Sequence, residues 1–328
     1  MKQALVIAAS LLLGFQAGNS SVLAQPMVVH QAPVVCLAAP GVESDRPLVS
    51  RIGRPDPAVM DIFSGAGASA FSVHDLTEDE LILVEKALGK LPRLHRDVLR
   101  RHLRRLSFLD LQPGAGSALT SRAGLDDASM QFDITLRASL LDESLAKFLN
   151  DKESRLFADD DSGFSVEFDA GQSDALTYIL LHEANHIVDQ VIALTADTAG
   201  PFRSKVWKDL RAIAPPHDAS LAAKNPFRRA RPIPLRYAPA YYESLANSPF
   251  VSFYATAAAT EDVAELFAWQ QLASRFDQSL TITIRDNQRL ILHRYEPLET
   301  PFALLRFGDV QAVFEKYEQA CRRVGGSA

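Results

Sequence analysis

From Ser173 to Thr198 the chain runs without a glycine or proline, and apolar residues recur at Leu176, Ile179, Leu180, Ile187, Val188 and Val191. That spacing predicts a long helix with an apolar face, opened by Ser173 or Asp174 as N-cap. The same stretch carries His182-Glu183-Ala184-Asn185-His186. Three such polar side chains are costly to bury on an apolar helix without partners, so the fold must bring something to meet them. Positions four apart share a helix face, which lets both imidazoles converge on one ion. Zinc fits, because it takes neutral imidazole nitrogen at about 2.0–2.1 Å. Glu183, beside the first histidine, is placed to take a proton from water held there.

A zinc site that does chemistry needs a third protein ligand and an open position. The continuation Ile187-Val188-Asp189-Gln190-Val191-Ile192 lacks the glycine and third histidine of the metzincin pattern, which excludes that class. Downstream, Thr260 precedes Glu261, Asp262, Val263, Ala264 and Glu265. Thr260 reads as a cap, with acidic residues in the favourable first turn. Glu261 and Glu265 share a face, so one carboxylate can ligate while the other accepts the free N–H of a ligand histidine. Asp189 lies on nearly the face of His182, a turn beyond His186, which suits a supporting or packing carboxylate and makes it the rival third ligand. His217 and Glu243 are weaker rivals, and His30 and His74 stand alone in polar loops.

The H-E-x-x-H helix followed by Glu-x-x-x-Glu resembles the gluzincin clan of zinc metallopeptidases. Tyr254-Ala255 ahead of Glu261-Asp262-Val263-Ala264-Glu265 resembles its lethal-factor-type branch. The resemblance covers mainly residues 173–192 and 250–270. It implies that His182, His186 and Glu261 hold one Zn2+, that Glu265 supports them and that Tyr254 donates to an oxyanion. It implies a peptide or protein substrate, with Glu183 as general base. Tyr237, Tyr241 and Tyr242 compete with Tyr254 for the phenol role. The fold to expect is α+β: a largely helical zincin-like domain with a small antiparallel sheet beside the active-site helix. The alternative is a catalytically silent zinc-binding domain that recognises a protein or cell-envelope partner.

Residues 1–24 read as a secretory signal: Lys2, an apolar run from Ala4 to Phe15, and Val22-Leu23-Ala24 before Gln25. That predicts a secreted or periplasmic protein, and the apolar run is too short to span a bilayer. Cys36 and Cys321 are the two cysteines, a possible disulfide in an oxidising compartment. A net charge of −6 gives no general support for a nucleic-acid partner. The arginine-rich stretch Arg93 to Arg105 alternates with leucines and reads as an amphipathic helix with a solvated basic face.

Residues 25–75 read as a flexible leader or pro-segment, and residues 76–328 as the zinc metallopeptidase domain. Within it we expect helices from Thr77 to Leu88, Leu94 to Leu103 and Leu140 to Leu149, a site helix over 173–195 and a third-ligand helix over 260–274. Arg105 to Leu111 and Met130 to Leu136 read as strands, and the gluzincin resemblance implies that the second is the edge strand that runs beside the cleft and pairs with extended substrate. Residues 198–250 hold eight of the 18 prolines and read as a lid-like insertion. Thr281 to Ile284 and Arg289 to His293 read as a hairpin, and a final helix lies within Pro301 to Val324.

Overall fold

Thr77 opens the first long helix with a capping box. Its hydroxyl accepts from Glu80 N–H at 3.3 Å, and Glu80 Oε2 accepts from Thr77 N–H at 2.8 Å. The computed structural model describes residues 42–65, 68, 70–112, 116–123, 130–225, 227 and 231–325. Its helices are α1 (Pro57–Gly65), α2 (Glu78–Lys90), α3 (Arg93–His102), α4 (Leu145–Glu153), α5 (Ala175–Ile192), the single turn α6 (Pro201–Ser204), α7 (Ala238–Ala246), α8 (Ala259–Phe276) and α9 (Pro301–Gly325). The strands are β1 (Phe71–Val73), β2 (Leu103–Leu111), β3 (Ala118–Arg122), β4 (Phe132–Arg137), β5 (Phe157–Ala158), β6 (Ser165–Asp169), β7 (Ile233–Pro234), β8 (Thr281–Arg285) and β9 (Ile291–Tyr295). The result is a mixed helix-and-sheet fold with three small sheets.

The sheet beside α5 has the order β1-β2-β4-β3, and it is mixed rather than antiparallel because β2 and β4 run parallel. β4 also lies inside the sheet, not at its edge; the edges are β1 and β3. The alternation in β4 resembles a half-exposed strand, but its polar residues find partners indoors. Arg104 Nε donates to Asp133 Oδ1 at 2.9 Å, and the Ser107 and Thr135 hydroxyls meet at 2.8 Å. The edge facing the site helix is β3, which has no expectation in the sequence. Further round, β6, β8 and β9 form an antiparallel sheet, and β5 pairs with β7.

The described residues between 42 and 75 pack against the domain instead of forming a flexible leader, while 25–41 lie outside the described residues. The guanidinium of Arg51 is buried at the C-terminal end of α3, donating to the carbonyls of Leu99 at 2.9 Å, Arg100 at 2.5 Å and Leu103. It satisfies helix-end carbonyls that have no partner inside the helix. Val59, Phe63 and Ala68 cover Leu109 and Leu119 on the outer face of the sheet, giving that face its own small core. A sheet with two apolar faces needs this second layer.

Other element ends shift for local reasons. Ser144, whose hydroxyl accepts from Lys147 N–H at 3.2 Å, starts α4 at Leu145, so only a 3-10 turn precedes it from Ala138 to Asp142. α5 stops at Ile192 because Ala193 turns left-handed at φ 57°. Residues 198–250 contribute Phe202, Trp207, Ala222, Tyr242 and Leu245 to the main core. The insertion is therefore packed into the domain along much of its length. The basic run is largely paired within the molecule: Asp97 bridges Arg93 and Arg100, and Arg104 meets Asp56 and Asp133. Cys321 is disulfide-bonded, and Cys36, the other cysteine, lies outside the described residues, as does the 1–24 segment. Among the described residues no helix is long and apolar enough to cross a membrane.

Candidate metal centre

Helix α5 begins where Asp174 accepts from Thr177 N–H at 2.6 Å, and it is buried from Ala175 to Asp189. α8 packs along it, so the two polar faces meet inside the core. α8 begins at Ala259 with Ala258 as N-cap, so Thr260 lies inside the helix and does not cap it. Glu261 in its first turn reaches both histidines: Glu261 Oε2 lies 3.1 Å from His182 Nε2 and 3.5 Å from His186 Nε2. Tetrahedral zinc with bonds of about 2.0–2.2 Å spaces its ligand atoms roughly 3.4 Å apart. Both distances from Glu261 Oε2 are near that spacing. Candidate ligand atoms of His182, Glu183 and His186 all lie within 4.8 Å of one another.

The polar atoms of this cluster are incompletely partnered. His186 Nδ1, His186 Nε2 and Glu183 Oε1 are buried without a hydrogen bond. Such atoms are rare in folded proteins and mark a place where an ion or water belongs. The other Glu183 oxygen, Oε2, accepts from the Thr120 hydroxyl at 2.7 Å. Thr120 lies on β3, so the edge strand fixes the carboxylate and leaves one oxygen turned to the cluster. Burial raises the pKa of Glu183, and the two histidines work against that rise.

Behind the cluster Glu265 is held on every side. Its Oε1 lies 3.2 Å from His182 Nδ1, accepts from the Tyr178 hydroxyl and stands 3.7 Å from Lys152 Nζ. Its Oε2 accepts from Ser252 Oγ at 2.6 Å and Trp269 Nε1 at 3.4 Å. The approach of Nδ1 is close without full hydrogen-bond geometry. The hydrogen bond made by the ring runs from Nε2 to Glu261 Oε2 at 3.1 Å; with a proton on Nδ1 turned to Glu265, Nε2 would be the nitrogen left to ligate a metal.

Electrostatics agree with that division. Burial alone lowers the pKa of His182, but hydrogen bonds and charge from Glu261 and Glu265 outweigh it and hold it at about 10. Burial raises Glu261, and His186 and His182 bring it down to about 2. Burial likewise raises Glu265, but Lys152, His182 and Ser252 take it well below the usual carboxylate range. The site therefore favours positive charge at His182. A divalent cation can supply that charge in place of the proton, with the histidine then neutral.

Tyr254 stands beside His182, with ring centres 6.0 Å apart, and is 7% exposed. The rival tyrosines do not reach the cluster. Tyr242 is buried with its hydroxyl donating to Glu153 at 3.3 Å, Tyr241 packs against Phe253, and Tyr237 is exposed. Asp189 is also placed elsewhere: its two oxygens accept from Thr195 N–H and Oγ–H, both at 2.7 Å, closing the end of α5. His217 packs on Phe302 and His74 lies between Asp110 and Glu80, so neither joins the cluster, while His30 is outside the described residues.

Sequence reasoning missed Thr120, Tyr178, Ser252 and Lys152. Tyr178 alone carried a signal, four residues before His182 on the same face. No protein-family model, curated protein or solved structure matches the chain.

Proposed function

We propose that this chain is a zinc-dependent hydrolase, a metallopeptidase of the gluzincin kind with a zincin-like domain, exported to the periplasm or beyond. The observation that carries the reading is the convergence of His182 Nε2, His186 Nε2 and Glu261 Oε2 at 3.1 and 3.5 Å, beside the unpartnered Glu183 Oε1. His182, His186 and Glu261 would hold the ion. When bound, zinc supplies Lewis acidity that acidifies water and polarises a carbonyl.

The residues do the rest. Thr120 holds one oxygen of Glu183, leaving the other to take a proton from the attacking water and pass it to the leaving amine. Glu265, itself fixed by Ser252, Tyr178 and Trp269, orients the His182 ring. Tyr254 stands beside the ligand as a hydroxyl donor to developing oxyanion charge. The burial of all these groups excludes competing water, which strengthens each interaction.

The test is elemental analysis with activity on casein-derived peptides. Wild type should carry near one zinc per chain, Glu261→Ala should lose it, and Glu183→Gln should keep it. Glu183→Gln should lose about two to four decades of rate, the scale of general-base catalysis. Wild-type protein without zinc after supplementation overturns the reading; zinc-loaded Glu183→Gln with normal turnover removes Glu183 as the base.

A further inference from the structure

Beside Tyr254 lies a small cleft lined by Ser117, Arg137, Phe148, Lys152, Arg155 and Tyr254, among others. Three of these are cations. Lys152 is buried, with Nζ 4.1 Å from the centre of the Tyr254 ring and 3.7 Å from Glu265 Oε1, which partly balances its charge. Arg137 gives one nitrogen to Glu143 at 2.8 Å, while its Nε is buried without a partner. Arg155 is exposed and has no ion-pair partner among the described residues. The carboxylate at the rim, Asp151, is engaged by Lys147 at 2.5 Å.

These observations point one way. A buried, unpartnered guanidinium N–H beside a free cation lacks an acceptor, and a carboxylate supplies two oxygens suited to it. Arg137 and Lys152 each have one carboxylate partner, so Arg155 supplies the uncompensated positive charge that disfavours a cationic ligand. Phe148 and Tyr254 offer apolar wall to a short methylene stem. Ser117 borders β3, the strand whose Thr120 holds Glu183, and Tyr254, which lines the cleft, has its ring centre 6.0 Å from that of His182.

We infer that this cleft is a subsite for a carboxylate of the substrate, carried by an Asp or Glu side chain next to the scissile bond or by the free chain end. The inference rests on the hydrolase reading for its substrate class, and it makes Lys152, Arg137 and Arg155 specificity determinants. It differs from the metal site in using none of the metal's ligands.

The test is binding, read by fluorescence anisotropy with the zinc-loaded Glu183→Gln protein. The probes are labelled octapeptides with Glu, Gln or Lys scanned through each position, with free or amidated C-termini. Glu should bind roughly 10- to 100-fold tighter than Gln at one position, the worth of hydrogen bonds to a charged group. Arg155→Glu, a change at an exposed side chain, should bring that ratio to one or below and favour the Lys peptide. Where the chain end is the source, amidation removes the gain and the internal Glu has no effect. Binding that changes neither from Glu to Gln nor from free to amidated C-terminus, or no binding at all, overturns the proposal. A Glu preference without cleavage by wild type keeps the subsite and removes the hydrolase reading; cleavage without the preference does the reverse.

Discussion

The two sides of the α5–α8 contact hold similar residues in opposite states. Toward the cluster, His186 and Glu183 keep buried atoms without partners. Away from it, every carboxylate is bonded. Glu265 has Ser252, Tyr178 and Trp269; Asp189 has Thr195; and Asp262 has Trp207 Nε1 at 2.8 Å and Arg306 at 2.7 and 2.8 Å. The difference lies in the carboxylates: Glu183 keeps an open oxygen at the front, whereas those at the back are bonded, although Asn185 Nδ2, His95 Nδ1 and Arg306 Nε there are also without a hydrogen bond. Buried polar groups left open cost stability, and four such atoms lie together on His182, Glu183 and His186, with the bonded carboxylates behind them holding the geometry.

The largest break in this contrast should come from Arg306. It joins Asp262 on α8 to the carbonyls of Pro249 and Phe202, with its guanidinium 4.2 Å from the centre of the Phe202 ring. Burial raises the Asp262 pKa, and Arg306 is the chief opposing influence. Arg306→Ala should destabilise the fold by about 3–5 kcal/mol, because it strands a buried charge. Urea unfolding checks this, and restoring much of the loss with Asp262→Asn in the same chain would show that the stranded charge is responsible.

Glu265 sharpens the comparison at the junction of the two sides. Glu265→Gln keeps the shape but removes the charge facing His182 Nδ1, and should weaken zinc affinity by about 10- to 100-fold. Competition with a chelator measures it. Unchanged affinity would make Glu265 a packing residue.

Much of the front was legible in sequence, because its residues recur at helical spacing. The four-residue period puts His182 and His186 on one face of a helix, and the acidic first turn that carries Glu261 is likewise visible in the sequence. The back was not, because its partners come from unrelated parts of the chain: Thr120 from a strand with no periodic signal, Lys152 from α4 and Ser252 from a loop. The folded status of residues 42–75 was hidden for the same reason. Their order depends on Arg51 meeting the end of α3 and on Phe63 meeting Leu109 and Leu119, contacts that local patterning does not encode. The mixed sheet was equally hidden, since strand order is set by pairing and not by the alternation within a strand.

The smallest effect tests the back of the motif itself. Asn185, inside the H-E-x-x-H run, faces away from the cluster and meets His95 Nε2 at 3.2 Å, while the His95 ring stacks on Phe267 with centres 4.1 Å apart. Burial takes the pKa of His95 down to about 3, partly offset by the bond to Asn185. In the unfolded chain the imidazole titrates near about 6.5, so the unfolded state binds the extra proton across roughly pH 3 to 6.5. Its contribution to stability is therefore present above that window and is lost as pH falls through it. His95→Phe keeps the stack and removes the titration, leaving Asn185 without its partner at a cost of about 1–3 kcal/mol at neutral pH. As pH falls below about 6.5 the wild-type advantage should shrink by up to about 1.4 kcal/mol per unit and reverse near pH 5. Urea unfolding of both proteins at pH 7 and pH 5 reads the difference directly. A gap that does not change with pH would mean that His95 takes up its proton as readily folded as unfolded, and that the back of the helix is not sealed in the way its neighbours indicate.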